Sequence, residues 1–252
     1  MTSTTLFAKV FGEELISRGF KRKAKLYYRL HGDILQGIVI KPINPYSLHF
    51  AAYPYWMDHL LLDYAKGYWA ESGIHISPDV LAYYRPENEQ YNTDYMNVCF
   101  ELAKMHILPV LDEIKDLNSF IENLVPNWQV PEHQRYNNRV AKIRPVDINE
   151  KYSYMNPRST VSMCWHTLTA RYCYEAFLYR GYLEGDLQFG RELLRTTMVR
   201  AGFDIVDYQE KLYDEFIQDK DLSLIGEFFK ERKKEKATCI HDKLKLDTSH
   251  LN

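Results

Sequence analysis

Four cysteines in 252 residues, Cys99, Cys164, Cys173 and Cys239, stand far apart with no C-x-x-C spacing. That excludes a small disulfide-stapled scaffold and makes reduced cytosolic thiols the expectation. No apolar run approaches the ~18 residues of a membrane span. Residues 1–5 lack the charged-then-apolar shape of a signal peptide, and no N-x-Ser/Thr sequon is present. The balance of 32 basic against 34 acidic residues leaves a net charge of −2, so nothing electrostatic argues for nucleic acid as a partner. A phosphate-binding glycine loop, an H-E-x-x-H helix and a G-x-S-x-G elbow are all missing. These absences predict a soluble cytoplasmic protein without cofactor, metal, catalytic residues or membrane partner.

What is present is aromatic: twenty tyrosines, twelve phenylalanines and four tryptophans, large amphipathic units suited to cores and interfaces. The clearest local structure lies in residues 15–55 and the helix leading into it. Phe7, Val10, Phe11 and Leu15 follow the i, i+3, i+4, i+8 spacing of one buried helical face. Ser3 or Thr4 is placed to cap it, and Gly19 to end it in the left-handed conformation, with Phe20 folding back. After a basic bridge from Lys21 to Lys25 the period changes to two. Leu26, Tyr28 and Leu30 alternate with Tyr27 and Arg29, then His31-Gly32-Asp33 turns the chain. Ile34, Ile38 and Ile40 continue the apolar face with Gln36 as its one polar member. Pro42 stops that strand, Asn44-Pro45 turns again, and Leu48, Phe50 and Ala52 make a third. The expectation is an antiparallel meander with strands near 25–31, 33–41 and 47–54.

The order of helix, Gly19-Phe20-Lys21-Arg22-Lys23, Tyr27-Tyr28-Arg29, Gly32-Asp33-Ile34-Leu35-Gln36 and Phe50 resembles the bacterial domain-of-unknown-function 4304 family. The resemblance spans about residues 5–125, with 107–124 as the closing helical part. It departs at Pro42-Ile43-Asn44-Pro45, where the family is more polar. It implies a fold and transfers no catalytic residue.

Downstream, an aromatic region runs from Tyr53 to Tyr84, with a further strand expected at 80–84. Residues 94–124 read as helical, Val98, Leu102 and Met105 sharing a face and Pro109 separating a second helix. Residues 126–159, carrying Pro126, Pro131, Pro145 and Pro157, read as an irregular linker. A helical domain is expected over 160–240, its first helix carrying Val161, Trp165, Leu168, Tyr172 and Tyr179. Residues 176–194 resemble a single tetratricopeptide-type hairpin. A third helix carries Ile205, Tyr208, Leu212 and Phe216, and a fourth Leu222, Ile225 and Phe229, with fraying after Thr238 and a tail at 241–252. The predicted fold class is α+β: a helix-plus-meander domain over 1–125, the linker, then a helical domain.

Two C-x-H pairs, Cys164/His166 and Cys239/His241, are the only metal-like spacing. Residues two apart on a helix diverge by about 200°, so neither pair chelates there. Glu113-Ile114-Lys115, with Pro78-Asp79, has the residue types of a nuclease site, but on a helix its carboxylate and amine part company. Lys230 to Lys236 offers a basic run to an acidic partner, but its mixed charge on a terminal helix reads rather as a solvated face. The surface of greatest interest is the sheet face opposite the isoleucines, read as Tyr27, Arg29, Leu35, Gly37, Val39, His49 and Tyr53. Either the helical half buries it, or Tyr27, Arg29, His49 and Tyr53 bind a partner or ligand. The expected function is a non-catalytic protein-interaction, immunity or regulatory factor with another protein as partner. The alternative is an enzyme or small-ligand binder with a pocket between sheet and helical half.

Overall fold

The structure, a computed structural model, describes residues 1–41, 47–57, 74–79, 88–123, 138–143, 147, 149–155, 161–167, 173–200 and 206–251. Helix α1 (Ser3–Ser17) buries Leu6, Phe7, Phe11 and Leu15. Its cap is Thr2 rather than Ser3 or Thr4: the Thr2 hydroxyl accepts from the Thr5 N–H at 3.2 Å. At the other end Gly19 takes φ 83°. Its N–H donates to the Ile16 carbonyl, and the Phe20 N–H donates to Leu15, the paired bonds of a Schellman motif.

The basic bridge is itself a strand. β1 (Lys21–Lys23) pairs antiparallel with β2 (Leu26–His31) around Ala24, whose φ is 53°. β3 (Ile34–Lys41) and β4 (Ser47–Pro54) complete the expected meander. β5 (Ile74–Asp79), β6 (Asn138–Ile143) and β7 (Val161–Thr167) enlarge it to a seven-stranded antiparallel sheet of order β1-β2-β3-β4-β5-β7-β6. β6 falls in the expected linker, and β7 replaces the first turns of an expected helix. The spacing of four from Val161 to Trp165 suits either period. Val161, Met163, Trp165 and Thr167 also alternate with Ser162, Cys164 and His166, and strands on both sides of β7 take up its backbone groups. The Pro42 stop, the Asn44-Pro45 turn and the strand expected at 80–84 lie outside the described residues.

One register decides which side chains share a face. His31 pairs with Ile34, so the β2–β3 turn has two residues, Gly32 and Asp33. Gly32 takes φ 57° and Asp33 does not, as in a type II′ hairpin. A three-residue turn would keep parity between the strands; a two-residue turn inverts it. Tyr27 therefore stands opposite Ile38, and Arg29 opposite Gln36. The expectation that Tyr27 and Arg29 share a face with Leu35, Val39 and Tyr53 is overturned.

The isoleucine face is covered by α1, whose Phe7 meets the Tyr27 ring edge-on at 5.5 Å. α2 (Glu89–Leu102) backs α1 through Phe11 and Phe100. Pro109 stands in the first turn of the second helix, as expected, and a π turn rather than a break joins the two. A π turn at Ala103–Ile107 leads into α3 (Leu108–Glu113), the Leu108 N–H reaching Ala103. A proline ring crowds the carbonyl four residues back, and widening the turn relieves it. Met105 is 51% exposed, so it does not share the buried face of Val98 and Leu102. α4 (Leu117–Asn123) starts on an Asp116/Ser119 capping box.

The helical half begins with α5 (Cys173–Glu184) and α6 (Leu187–Arg200), a hairpin turned at Gly185 with φ 69°. Gly181 and Gly190 let these helices touch: a Cβ on Gly190 would stand 2.5 Å from the Phe177 carbonyl oxygen. Tyr213 of α7 (Val206–Ile217) donates across the crossing to the Leu187 carbonyl at 2.6 Å. α8 (Leu222–Leu244) runs well beyond Thr238, where fraying was expected, and closes with Lys245 in the left-handed conformation. The segment after it packs down, burying Leu246 and Leu251. Trp56, just after β4, joins the halves, its ring 4.8 Å from Tyr179 of α5 and 5.2 Å from Phe229 of α8. The fold class is α+β.

Candidate functional site

Arg29 is only 6% exposed and fully answered. Its Nε donates to Gln36 Oε1 at 2.8 Å, Nη1 to the Arg18 carbonyl at 2.6 Å and Nη2 to Asp112 Oδ1 at 2.6 Å. The guanidinium also lies 4.4 Å over the Phe20 ring. Gln36 donates in turn to the Leu111 and Ile114 carbonyls, and Arg18 pairs with both Glu14 and Asp112. Carbonyls at the ends of α1 and α3 carry partial negative charge and lack helical donors. Burial lowers the Arg29 pKa below the ordinary arginine value, against the Asp112 carboxylate, which raises it. The chemistry of this corner is structural: it ties two helix ends to the sheet.

The other predicted site residues are not gathered around it. Tyr27 is buried under α1, and Tyr53 is buried on the opposite face. His49 pairs with Val39 on β4; its side chain lies outside the described residues. Near that opposite face, Tyr28 Oη donates to the Leu244 carbonyl at 3.1 Å. The helical half thus covers β2 there, and Leu35 and Val39 are buried with Tyr53. Tyr27, Arg29 and Tyr53 are thus all buried, and on two different faces of the sheet.

The remaining motifs also shift. Cys164 and His166 stand two apart on a strand, where such positions take the same side of the pleat. The helical argument against chelation therefore applies only to Cys239 and His241 on α8. Among the described residues no group of three or more His, Cys, Asp or Glu side chains is arranged to hold a metal. Glu113 ends α3 and Ile114 is extended, with φ −84° and ψ 97°, so that triplet is not inside a helix. Cys99 is buried, and burial pushes its thiol pKa well up, as for an inert core cysteine.

Among the described residues an open concavity lies elsewhere. A groove of about 930 Å³ runs between α5, α8 and the segment after α8. Its floor is aromatic: Tyr179 and Tyr182 of α5 with Phe229 of α8. Its rim is basic, formed by Lys230, Lys233, Lys234 and His241, with Glu227 as the carboxylate on it. Thr248 and Leu251 close the far side. Gly226 keeps the groove floor intact, because a Cβ there would stand 2.6 Å from Tyr182 Oη. Contacts along α8 extend from Ser223 to His241, about 27 Å at 1.5 Å per residue.

The cations on this rim differ from those on neighbouring helices. Arg180, Arg191, Arg195 and Lys211 each meet a carboxylate, as does Arg232 on α8 itself. Among the described residues no carboxylate pairs with Lys230, Lys233 or Lys234; the Lys233 ammonium instead lies 4.7 Å over the Tyr179 ring. Along α8 the charges are sorted rather than alternated: Glu227, Glu231 and Glu235 succeed one another at i, i+4, i+8, and Lys230 precedes Lys234 by four. Like charges at that spacing destabilise a helix by about 0.2–0.5 kcal/mol a pair. The signal for this site was in the sequence as Gly226, Lys230, Lys233, Ala237 and His241 on one helical stripe. The mixture of lysine and glutamate along it reads as a solvated face, which hid the stripe.

Among the described residues no helix is long and apolar enough to cross a membrane. No family model, curated protein or solved structure matches this chain.

Proposed function

We propose that this protein is a non-catalytic interaction factor of the immunity or regulatory kind, and that the α5–α8 groove receives a segment of its partner. The supporting observation is the groove itself: an aromatic floor bounded by charged side chains, the anatomy of an interface hot spot with its polar rim. We also propose that residues 5–125 are a distant relative of the domain-of-unknown-function 4304 family, a reading supported by the order of helix and meander and silent on activity. A small-ligand reading draws on the same volume, which falls within the ~300–1,000 Å³ typical of such sites. The elongated shape along α8 favours a chain. A photocrosslinking amino acid placed at Thr238, compared with one at exposed Glu192 on α6, tests the proposal in cells. A discrete protein adduct from Thr238 alone is expected. Equal labelling from both positions, or none from Thr238, overturns it.

A further inference from the structure

Resting on that reading of the groove, we infer that the segment it receives is an acidic peptide carrying an apolar or aromatic anchor. Charge complementarity carries the inference. Lys230, Lys233 and Lys234 face the groove without carboxylate partners among the described residues, while Arg180, Arg191, Arg195 and Lys211 on the adjoining helices, and Arg232 on another side of α8, are paired. The helix keeps Lys230 and Lys234 one turn apart despite their mutual repulsion. Lys233 rests on the Tyr179 ring, a contact that an incoming carboxylate can exchange for an ion pair without unfolding anything. The anchor belongs beside Gly226, where the absence of a side chain lets Tyr182 and Phe229 form an apolar floor. A span of about 27 Å along α8 corresponds to about eight residues of extended chain.

The same mixture of lysine and aromatic rings occurs in single-strand nucleic-acid grooves, where bases stack on free ring faces. Here the Tyr179 ring is covered by Lys233 on one side, and Tyr179 and Tyr182 stack on each other at 5.9 Å. Among the described residues no arginine lines the groove. These features favour the peptide.

Fluorescence anisotropy on the full chain tests the inference with three labelled probes. One is an acidic peptide of Asp and Glu around a central Phe and Leu; the second has the same sequence in Asn and Gln; the third is an oligo-dT of matching length. The acidic probe is expected to bind, with affinity falling as salt rises. The Lys230→Glu/Lys234→Glu double substitution should weaken it at least about tenfold. Tyr182→Ala should weaken it by a similar factor, and a Lys9→Glu/Lys104→Glu control, which changes charge equally on other helices, should leave it unchanged. Thermal melts of Lys230→Gln/Lys234→Gln, expected to lose binding with no loss of stability, separate recognition from folding. Equal binding of the neutral probe, or no response to the double substitution, overturns the inference. Tighter binding of oligo-dT overturns it in favour of nucleic acid. If Thr238 captures a partner that the acidic probe does not displace, the occupant chemistry fails and the interaction reading stands. If the acidic probe binds but no protein adduct forms at Thr238, the interaction reading fails instead.

Discussion

Two clusters of positive charge in this molecule are built on opposite terms. At the Arg29 corner a cation is buried, and each of its donor groups meets an oxygen supplied by the chain itself. Along the α8 groove three lysines stand over an aromatic floor, and among the described residues none has a carboxylate partner. A buried charge must be answered within the fold, because leaving it unanswered costs several kcal/mol. A rim charge is answered by water at little cost, so its arrangement is free to serve something outside. Electrostatic saturation thus separates the part of the molecule that holds it together from the part available for recognition.

The largest test of this contrast is Arg29→Ala. It leaves Gln36 Oε1 and the Arg18 carbonyl without their donor and Asp112 with Arg18 alone, and a loss of about 3–5 kcal/mol is expected in denaturant melts. A loss below about 1 kcal/mol would erase the distinction between the two regions. Gly190→Ala comes next. Its methyl meets the Phe177 backbone oxygen, which cannot rotate away, so overpacking of the α5–α6 crossing should cost about 1–3 kcal/mol. Gly226→Ala places a comparable methyl against the Tyr182 ring alone. Movement of that ring and the gain of about 1 kcal/mol in helix propensity should leave stability within about 1 kcal/mol. The groove should change nonetheless, detected as altered exchange protection across α5. The smallest effect is expected from Lys230→Gln/Lys234→Gln, which removes a like-charge pair and should raise stability by about 0.2–0.5 kcal/mol. Destabilisation by more than about 1 kcal/mol would show that those lysines hold the fold after all.

The α1 stripe, its glycine stop and the three-strand meander were legible because each is a local pattern satisfied by local partners. The groups around Arg29 were not, since a single residue of turn length reverses every side chain of β2. His31-Gly32-Asp33 reads equally well as a turn of two residues or three, and only pairing with β3 decides. β7 was missed for a related reason. Its residues fit a helical period as well as an alternating one, and the choice was made by β5 and β6, which are remote in sequence. The groove required three separate segments to meet. Its lysines were visible as a charge run, but their pairing state belongs to the folded molecule.

The bonds at the end of α8 bear on how the protein is made. Lys21 reaches the Lys245 carbonyl and Tyr28 the Leu244 carbonyl, the latter across 216 residues of sequence. During synthesis the first hairpin therefore emerges long before the helix end that closes over it. Until residues 244–251 are translated, the sheet face bearing Leu35, Val39 and Tyr53 lacks that part of its cover. Contacts this distant in sequence slow the final step of folding and leave apolar strand surface available to chaperones or to neighbouring nascent chains in the interval.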